Sequence, residues 1–305
     1  MKQNLGIPYM GSKRKLASQI LEKITNRHEK ITDFYDLFGG GGSISFTAVR
    51  DYRFNVHYNE LNKHIYSLVE YIKNNKELEP KFYEWVTREE FHKQINKNNE
   101  DADWFSGFVM SCWSFGNSQN SYLYGADIEE FKRLAHELIV NLDETSMFKL
   151  GLNMEGIFKI KDIQKRRLAF CSHVKKITEK RCDVQNLELV EHLTRLQNLQ
   201  NLQNLQTNNT SYEKVLIKGN NPVIYCDIPY KGTGEYKEGG FNHDAFYQWF
   251  SNLPYPAYLS EYDAPFEKIE MFSHRSSLSA TNNKKKVFES IFWNGKGDII
   301  KNTLF

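Results

Sequence analysis

The chain has 305 residues, of which 40% are hydrophobic and 14% aromatic, and its 40 basic and 38 acidic side chains give a formal net charge of only +2. This composition excludes a disordered chain and allows one large α/β domain, with or without an inserted domain. A near-neutral charge means that any nucleic-acid-binding surface must be local. The four cysteines form no CxxC pair and no uncharged run reaches the roughly 18 residues of a membrane helix. We therefore expect a soluble cytoplasmic protein with reduced thiols, no metal site and no membrane anchor.

The first recognisable unit is strand, glycine turn, helix and strand. Residues 31–38 are apolar and aromatic and run into four glycines at 39–42, Ser43 is placed to cap a helix, and residues 54–58 alternate as a second strand before Glu60. Such glycines let the backbone approach a ligand, and an acidic residue after the second strand can bind ribose hydroxyls. The pattern predicts a nucleoside cofactor, although dehydrogenases and structural turns share it.

The middle of the sequence predicts an inserted helical domain. Charged, helix-favouring segments at 75–99 and 128–142 flank a loop rich in Ser, Gly, Asn and Tyr at 111–125. A basic cluster at 161–167 is equally typical of a solvated surface and of a phosphate contact.

A Leu-Gln-Asn repeat occupies residues 193–206, with leucines at intervals of three. Steps of three wind around an α-helix, so these leucines would form no single stripe. We therefore predict a low-complexity connecting segment.

A second site is predicted where the later strand 222–226 ends in Asp227-Ile228-Pro229-Tyr230. The exocyclic amine of adenine is a poor nucleophile because its lone pair is delocalised into the ring. If the Asp227 carboxylate and the Ile228 carbonyl each accept an N6 hydrogen, the nitrogen is activated and aimed, and Tyr230 can stack on the base. A strand-end aspartate before a proline is also a common turn residue. The glycine turn at 39–42 makes the catalytic interpretation the favoured one.

In their order along the chain, four motifs resemble the Dam-type, D12-class (alpha group) DNA adenine-N6 methyltransferases of bacteria and their phages. That family has an amino-terminal Gly-Gly-Lys, then a Phe-x-Gly-x-Gly turn, a target-recognition domain and a late Asp-Pro-Pro-Tyr. The matching residues are Tyr9-Met10-Gly11-Ser12-Lys13, Asp36-Leu37-Phe38-Gly39-Gly40-Gly41-Gly42-Ser43, Asn59-Glu60-Leu61-Asn62 and Asp227-Ile228-Pro229-Tyr230. The chain departs from the family pattern in two places. Gly11-Ser12-Lys13 stands where the family has Gly-Gly-Lys, and Ile228 stands where the family has the first proline of Asp-Pro-Pro-Tyr. Because the proposed acceptor at 228 is a main-chain carbonyl held extended before Pro229, we expect activity to survive.

The resemblance implies an α/β fold, with a Rossmann-like S-adenosylmethionine-dependent methyltransferase sheet and an inserted, mainly helical target-recognition domain. It divides the chain into a first catalytic part at 1–72, the recognition domain at 73–175, and a second catalytic part at 176–305 that includes the repeat connector 193–206.

The resemblance also assigns residues to roles. The catalytic residues are Asp227, Ile228, Pro229 and Tyr230. The residues expected to bind S-adenosylmethionine are Tyr9, Lys13, Asp36, Phe38, Gly40, Gly42, Ser43, Glu60, Ser211 and Asp227. Within the recognition domain, amides suit the edge of adenine and cations suit phosphates, which gives Asn117, Gln119, Asn120, Tyr122, Lys165 and Arg166 as candidate DNA contacts, although the Gly/Asn/Ser loop is equally typical of a plain turn.

The implied reaction is site-specific methylation of adenine N6 in double-stranded DNA, with the base flipped out of the helix. We expect a monomer that associates with the nucleoid when bound to DNA. GATC is the family's frequent target, while the actual recognition site and any restriction partner stay open. Two alternatives remain: methylation of RNA or of a protein glutamine, and a catalytically silent DNA-binding homologue, which Ile228 and the near-neutral charge suggest.

Overall fold

The computed structural model describes residues 4–178, 183–231, 240–275 and 286–297. The chain forms two compact units. The first contains residues 4–6, Lys13–Asn62 and the described residues from Gln200 onward, and the second contains Ile7–Ser12 and Lys63–Leu199. In chain order the helices are α1 (Ala17–Thr25), α2 (Ser43–Asp51), α3 (Lys63–Asn74), α4 (Arg88–Ile95), α5 (Trp104–Cys112), α6 (Ala126–Asn141), α7 (Glu144–Lys149), α8 (Ile163–Thr178), α9 (Gln185–Gln197) and α10 (His243–Asn252).

The first unit is built on a seven-stranded β-sheet. Its strands, among the described residues, are β1 (Asp33–Asp36), β2 (Asn55–Asn59), β3 (Leu205–Asn208), β4 (Pro222–Asp227), β5 (Ala257–Glu261), β6 (Glu267–Arg275) and β7 (Lys286–Trp293). They lie in the order β3-β2-β1-β4-β5-β7-β6. Strands β1 to β5 pair in parallel, and β7 is antiparallel to both β5 and β6. The predicted Rossmann-like methyltransferase sheet is confirmed.

The sequences of the central strands explain their position. All four residues of β1 are buried, and so are the first five of β4, as expected for parallel strands covered on both faces. One core cluster joins the sheet to α10 through Tyr35, Ile224, Leu259, Phe246 and Phe250. The strand order reverses between β1 and β4, which is where open α/β sheets bind ligands, at the carboxyl ends of the strands.

The second unit is mainly helical. Helices α3 and α5 pack closely, and Gly107 permits this, because a Cβ there would lie 2.1 Å from the carbonyl oxygen of His64. A separate core forms around Leu138, Phe170 and Leu187 from α6, α8 and α9. The unit boundaries differ from the predicted divisions at 73 and 175, because α3 packs on α5 and α9 packs on α3, α5 and α8.

The Leu-Gln-Asn repeat passes from the second unit to the first. Leu193 and Leu196 are buried on α9, Leu202 is buried in a short 3-10 helix, and Leu205 is buried as the first residue of β3. These leucines therefore lie in three different elements. The expectation of a plain connector misses that the repeat supplies part of a helix and the start of a strand.

Candidate active site

The glycine turn connects β1 to α2 in a conformation that requires glycine. Gly40 has φ of 49° and Gly42 has φ of 71°, and a Cβ on Gly39 would lie 2.1 Å from the ring of Tyr58. Gly42, not Ser43, precedes the first helical residue, and its carbonyl accepts the first helical bond from Phe46 at 2.8 Å. Ser43 is therefore inside the helix instead of capping it, a small correction to the sequence-based expectation.

Glu60 follows β2 and is held against this turn. Its carboxylate accepts the backbone N–H of Gly40 at 2.7 Å and the backbone N–H of Asn62 at 2.8 Å. Burial raises the pKa of Glu60, and these N–H donors oppose the rise. A carboxylate has about four acceptor positions, so the two backbone bonds orient the group while leaving capacity for ribose hydroxyls.

Asp36 ends β1 and is fully enclosed. Its carboxyl accepts the hydroxyl hydrogen of Ser45, on α2, at 2.7 Å. Burial raises its pKa to about 7; the Ser45 bond opposes the rise, and the nearby negative charges of Asp227 and Glu60 add to it. The carboxyl is thus unusually reluctant to ionise near neutral pH.

Replacing this carboxyl should therefore stabilise the protein at high pH. As pH rises from about 4 to 7, an unfolded chain loses the Asp36 proton while the folded chain keeps it, so this group costs stability throughout that interval. Asp36→Asn keeps an acceptor for Ser45 and removes the cost. We expect the variant's free energy of unfolding to exceed that of the ligand-free wild type by about 2–4 kcal/mol at pH 8 and by little at pH 4. Urea unfolding at the two pH values measures this; an equal difference at both would contradict it.

Asp227 ends β4 and is paired with Lys13. The ammonium nitrogen of Lys13 lies 2.7 Å from Oδ1 of Asp227 and 3.3 Å from Oε1 of Glu289, which comes from β7. Burial lowers the pKa of Lys13, but the two carboxylates outweigh this effect and raise it overall. Burial also raises the pKa of Asp227, to about 6, with Lys13 opposing and Glu289 reinforcing the rise.

Tyr230 closes the same cluster. Lys13 lies 4.8 Å from the centre of its ring, a cation–π contact, and the edge of the Tyr262 ring packs on it at 4.6 Å between centres. The Tyr230 hydroxyl interacts with the carboxyls of Asp227 and Glu289. Ile228, by contrast, points into the core and is only 2% exposed, so its main chain is its route to any ligand.

A comparison with models of protein families assigns the chain to one family. A family model described as D12 class N6 adenine-specific DNA methyltransferase matches residues 9–290. The chain belongs to this family. No curated protein matches the chain. The resemblance inferred from the sequence is thereby confirmed, and DNA adenine methylation is the activity of the family.

The donor set of this family member fits a cationic nucleoside cofactor. The carboxyls of Asp36 and Glu60 are buried and that of Asp227 is partly buried, and the pKa values of all three are raised, chiefly by desolvation. Lys13 is shared with a fourth carboxyl, that of Glu289. A bound cation would relieve this excess of acid, and S-adenosylmethionine carries a sulfonium, an ammonium and two ribose hydroxyls.

The remaining predicted cofactor residues lie in different surroundings. Phe38 packs on Tyr212 with 5.2 Å between ring centres, at the edge of an aromatic cluster that includes Phe241 and Phe246. Ser211 follows β3, and its hydroxyl donates to Glu213 at 3.0 Å. Tyr9 belongs to a segment that groups with the second unit, so its role stays a prediction.

The predicted DNA contacts divide into two groups. The loop of Asn117, Gln119 and Asn120 forms the tip of a hairpin whose arms are joined by bonds such as Phe115 N–H to the Ser121 carbonyl at 2.8 Å. Asn120 is exposed, and Asn117 and Gln119 are partly so. Their positive φ values, 57° for Asn117 and 63° for Gln119, present them on a tightly folded tip. Lys165 on α8 is exposed as well.

Two predicted DNA contacts are instead inside the second unit. Tyr122 is 6% exposed, and its hydroxyl donates to the Val86 carbonyl at 2.7 Å. Arg166 is 6% exposed, and its guanidinium donates to the Val140 carbonyl at 3.3 Å. Both side chains serve the packing of the unit, which corrects the expectation that they contact DNA.

Sequence reasoning missed Glu289 and the hydroxyl of Ser45. Glu289 lies beside Ser290 in the middle of β7, whose sequence Lys-Val-Phe-Glu-Ser-Ile-Phe-Trp does not alternate between apolar and polar residues, so the pattern gave no signal. Among the described residues, no group of three or more His, Cys, Asp or Glu side chains could hold a metal ion. No helix in this part of the chain is both long and apolar enough to cross a membrane.

Proposed function

We propose that this D12-class chain transfers a methyl group from S-adenosylmethionine to N6 of adenine at specific sites in double-stranded DNA. The observation that carries the proposal is the position of Asp227 and Lys13 at the end of β4, next to the end of β1 and its glycine turn. Two ligands bound at neighbouring strand ends would meet at the point where the strand order reverses.

The chain's own groups account for the chemistry at N6. The Asp227 carboxylate and the Ile228 carbonyl each accept one N6 hydrogen, which draws the amine lone pair out of the ring. S-adenosylmethionine, when bound, supplies a methyl group on a positively charged sulfur. As the N6–carbon bond forms and the sulfur–carbon bond breaks, N6 becomes positively charged, and Asp227 is placed to take the proton that it then loses.

The negative charge of Asp227 depends on its surroundings. A carboxyl whose pKa is about 6 is ionised at pH 7.5 but retains real proton affinity, which suits a group that must first accept a hydrogen bond and then a proton. Lys13 keeps the pKa from rising further. Tyr230 remains our candidate for stacking on the flipped base.

The second unit is our candidate for sequence recognition. Its exposed hairpin tip offers the amides of Asn117, Gln119 and Asn120, which can pair with the N6 and N7 edge of adenine in the major groove. Lys165 is exposed and available for a phosphate.

The direct test is transfer of a labelled methyl group. Purified protein with labelled S-adenosylmethionine should label unmethylated double-stranded DNA, and hydrolysis to nucleosides should give N6-methyladenine. Double-stranded RNA and a glutamine-bearing protein mixture serve as competing acceptors, and sequencing of the product reveals the recognition site. Cofactor binding without transfer to any acceptor would point to the silent DNA-binding homologue and overturn the proposal.

A further inference from the structure

The two peptide groups on either side of Tyr230 are each held by a side chain from another element. The carbonyl oxygen of Pro229 accepts a hydrogen bond from Nε2 of His243 at 2.8 Å, which requires the imidazole proton on that nitrogen. The backbone N–H of Lys231 donates to Oε1 of Glu261 at 2.7 Å. The φ and ψ torsions of Tyr230 lie between these two fixed peptide groups.

Both holding side chains come from regular elements. His243 is the first residue of α10, whose start is capped by the Asn242 side chain accepting from the Ala245 N–H at 3.0 Å. The His243 ring packs edge-on against Phe241 with 5.0 Å between centres. Glu261 is the last residue of β5 and is 1% exposed. The distance from Nε2 of His243 to Oε1 of Glu261 is 3.9 Å, so the two groups act on neighbouring peptides from one side of the loop.

The loop that they hold has one proline where the family motif has two. A proline fixes its own φ, whereas Ile228 is only biased toward extended backbone by its β-branch and by Pro229. The Ile228 side chain is anchored in the core, but that contact does not fix the orientation of the following carbonyls. The φ torsion of Pro229 links the Ile228 carbonyl group to the Pro229 carbonyl group, and the proline ring fixes this torsion. A hydrogen bond that holds the Pro229 carbonyl therefore leaves the Ile228 carbonyl little freedom.

We propose that His243 and Glu261 are positioning residues that hold the 229–231 backbone, and through it the Ile228 carbonyl and the Tyr230 ring, in place of the rigidity that a second proline would give. The inference rests on the proposed methylation at this pocket and adds two residues to it. Neither residue touches the reacting atoms. Their effect is geometric, and misplacement of an acceptor by about 1 Å is enough to slow a reaction by about 100-fold.

The first test compares two replacements of His243. His243→Ala removes the donor to Pro229, while His243→Gln keeps an amide N–H that can reach the same carbonyl. We expect His243→Ala to lower kcat by about 10- to 100-fold with little change in KM for DNA, and His243→Gln to stay within about 3-fold of the wild type. Gln248→Ala, an exposed change on the same helix, is the control for α10 itself. Equal losses for Ala and Gln, or none for Ala, would overturn the proposal.

The second test is a double-mutant cycle with Ile228→Pro. If His243 compensates for the missing proline, the loss caused by His243→Ala should shrink to less than about 3-fold in the Ile228→Pro background. An unchanged loss would contradict the compensation. If Ile228→Pro does not fold, the comparison of His243→Ala with His243→Gln alone decides whether His243 is a positioning residue.

A third measurement does not depend on activity. Hydrogen exchange of the Lys231 amide, which is bonded to Glu261, should speed up in His243→Ala and stay unchanged in His243→Gln. If the wild type transfers no methyl group to DNA, the proposed function fails, while this exchange pattern still decides whether the two residues hold the loop. Unaltered exchange in His243→Ala would remove His243 from that role.

Discussion

Asp227→Ala should lower kcat for methyl transfer by about 10³-fold or more, the largest effect that we expect from any single substitution in this protein. The change removes both the acceptor that activates N6 and the base that takes its proton. The Asp227 side chain is 19% exposed, whereas those of Lys13 and Glu289 are 6% and 4% exposed. Of these three charged groups, Asp227 is therefore the one that a bound base can reach.

The fold should survive the substitution. Lys13 keeps its contact with Glu289 at 3.3 Å, so the buried ammonium is not left without a carboxylate. The carboxyl itself has a raised pKa, which means that its ionised form costs stability at neutral pH instead of adding to it. DNA affinity, which we assign to the second unit, should be close to that of the wild type.

The controls separate charge from hydrogen bonding. Asp227→Asn keeps one acceptor oxygen without the charge or the basicity, and we expect activity between those of the wild type and Asp227→Ala. Glu29→Ala removes an exposed acid from the first unit and should leave kcat unchanged. Single-turnover transfer and DNA binding are the measurements; near-normal turnover by Asp227→Ala would refute the assigned role.

Much of the candidate site was predictable because its residues follow strongly apolar strands. Asp36, Glu60 and Asp227 come at the ends of β1, β2 and β4, and the glycines of the turn allow one conformation that few other residues can adopt. Parallel strands bring their carboxyl ends to one edge of the sheet, so local patterns sufficed to predict a shared site.

The rest depends on packing that sequence patterns do not encode. Glu289 joins the site only because β7 inserts between β5 and β6 in the antiparallel direction, and β7 itself was not predicted. Strand β3 was hidden in the Leu-Gln-Asn repeat, whose period of three matches neither a helix nor a strand. Within the basic cluster, composition could not tell the exposed Lys165 from the buried Arg166, because helix rotation decides which residue faces the core.

Lys13→Met is expected to move the acidic limb of the pH–rate profile to higher pH. In the wild type, activity should fall as Asp227 becomes protonated below about pH 6. An opposite charge within about 4–6 Å lowers a carboxyl pKa by roughly 1–3 units, so removing the Lys13 ammonium at 2.7 Å should shift the limb upward by at least about one unit. Burial and Glu289 then both act to raise the Asp227 pKa. For a shift of about 1 to 3 units, kcat at pH 7.5 should fall by about 1.3- to 30-fold, and it should recover as the pH is raised to 9.

The shift in the limb distinguishes an electrostatic role for Lys13 from a structural one. The other groups that act on Asp227, namely Glu289, Asp36, Tyr230 and Tyr225, are unchanged by the substitution, so a moved limb reports the lost ammonium. Lys13→Arg retains the charge and should leave the limb within about half a unit of the wild type. Lys15→Met changes an exposed neighbour and should have no effect. If Lys13→Met lowers kcat equally at every pH, Lys13 serves the site by shape or ligand contact alone, and the ionisation of Asp227 is set by other groups.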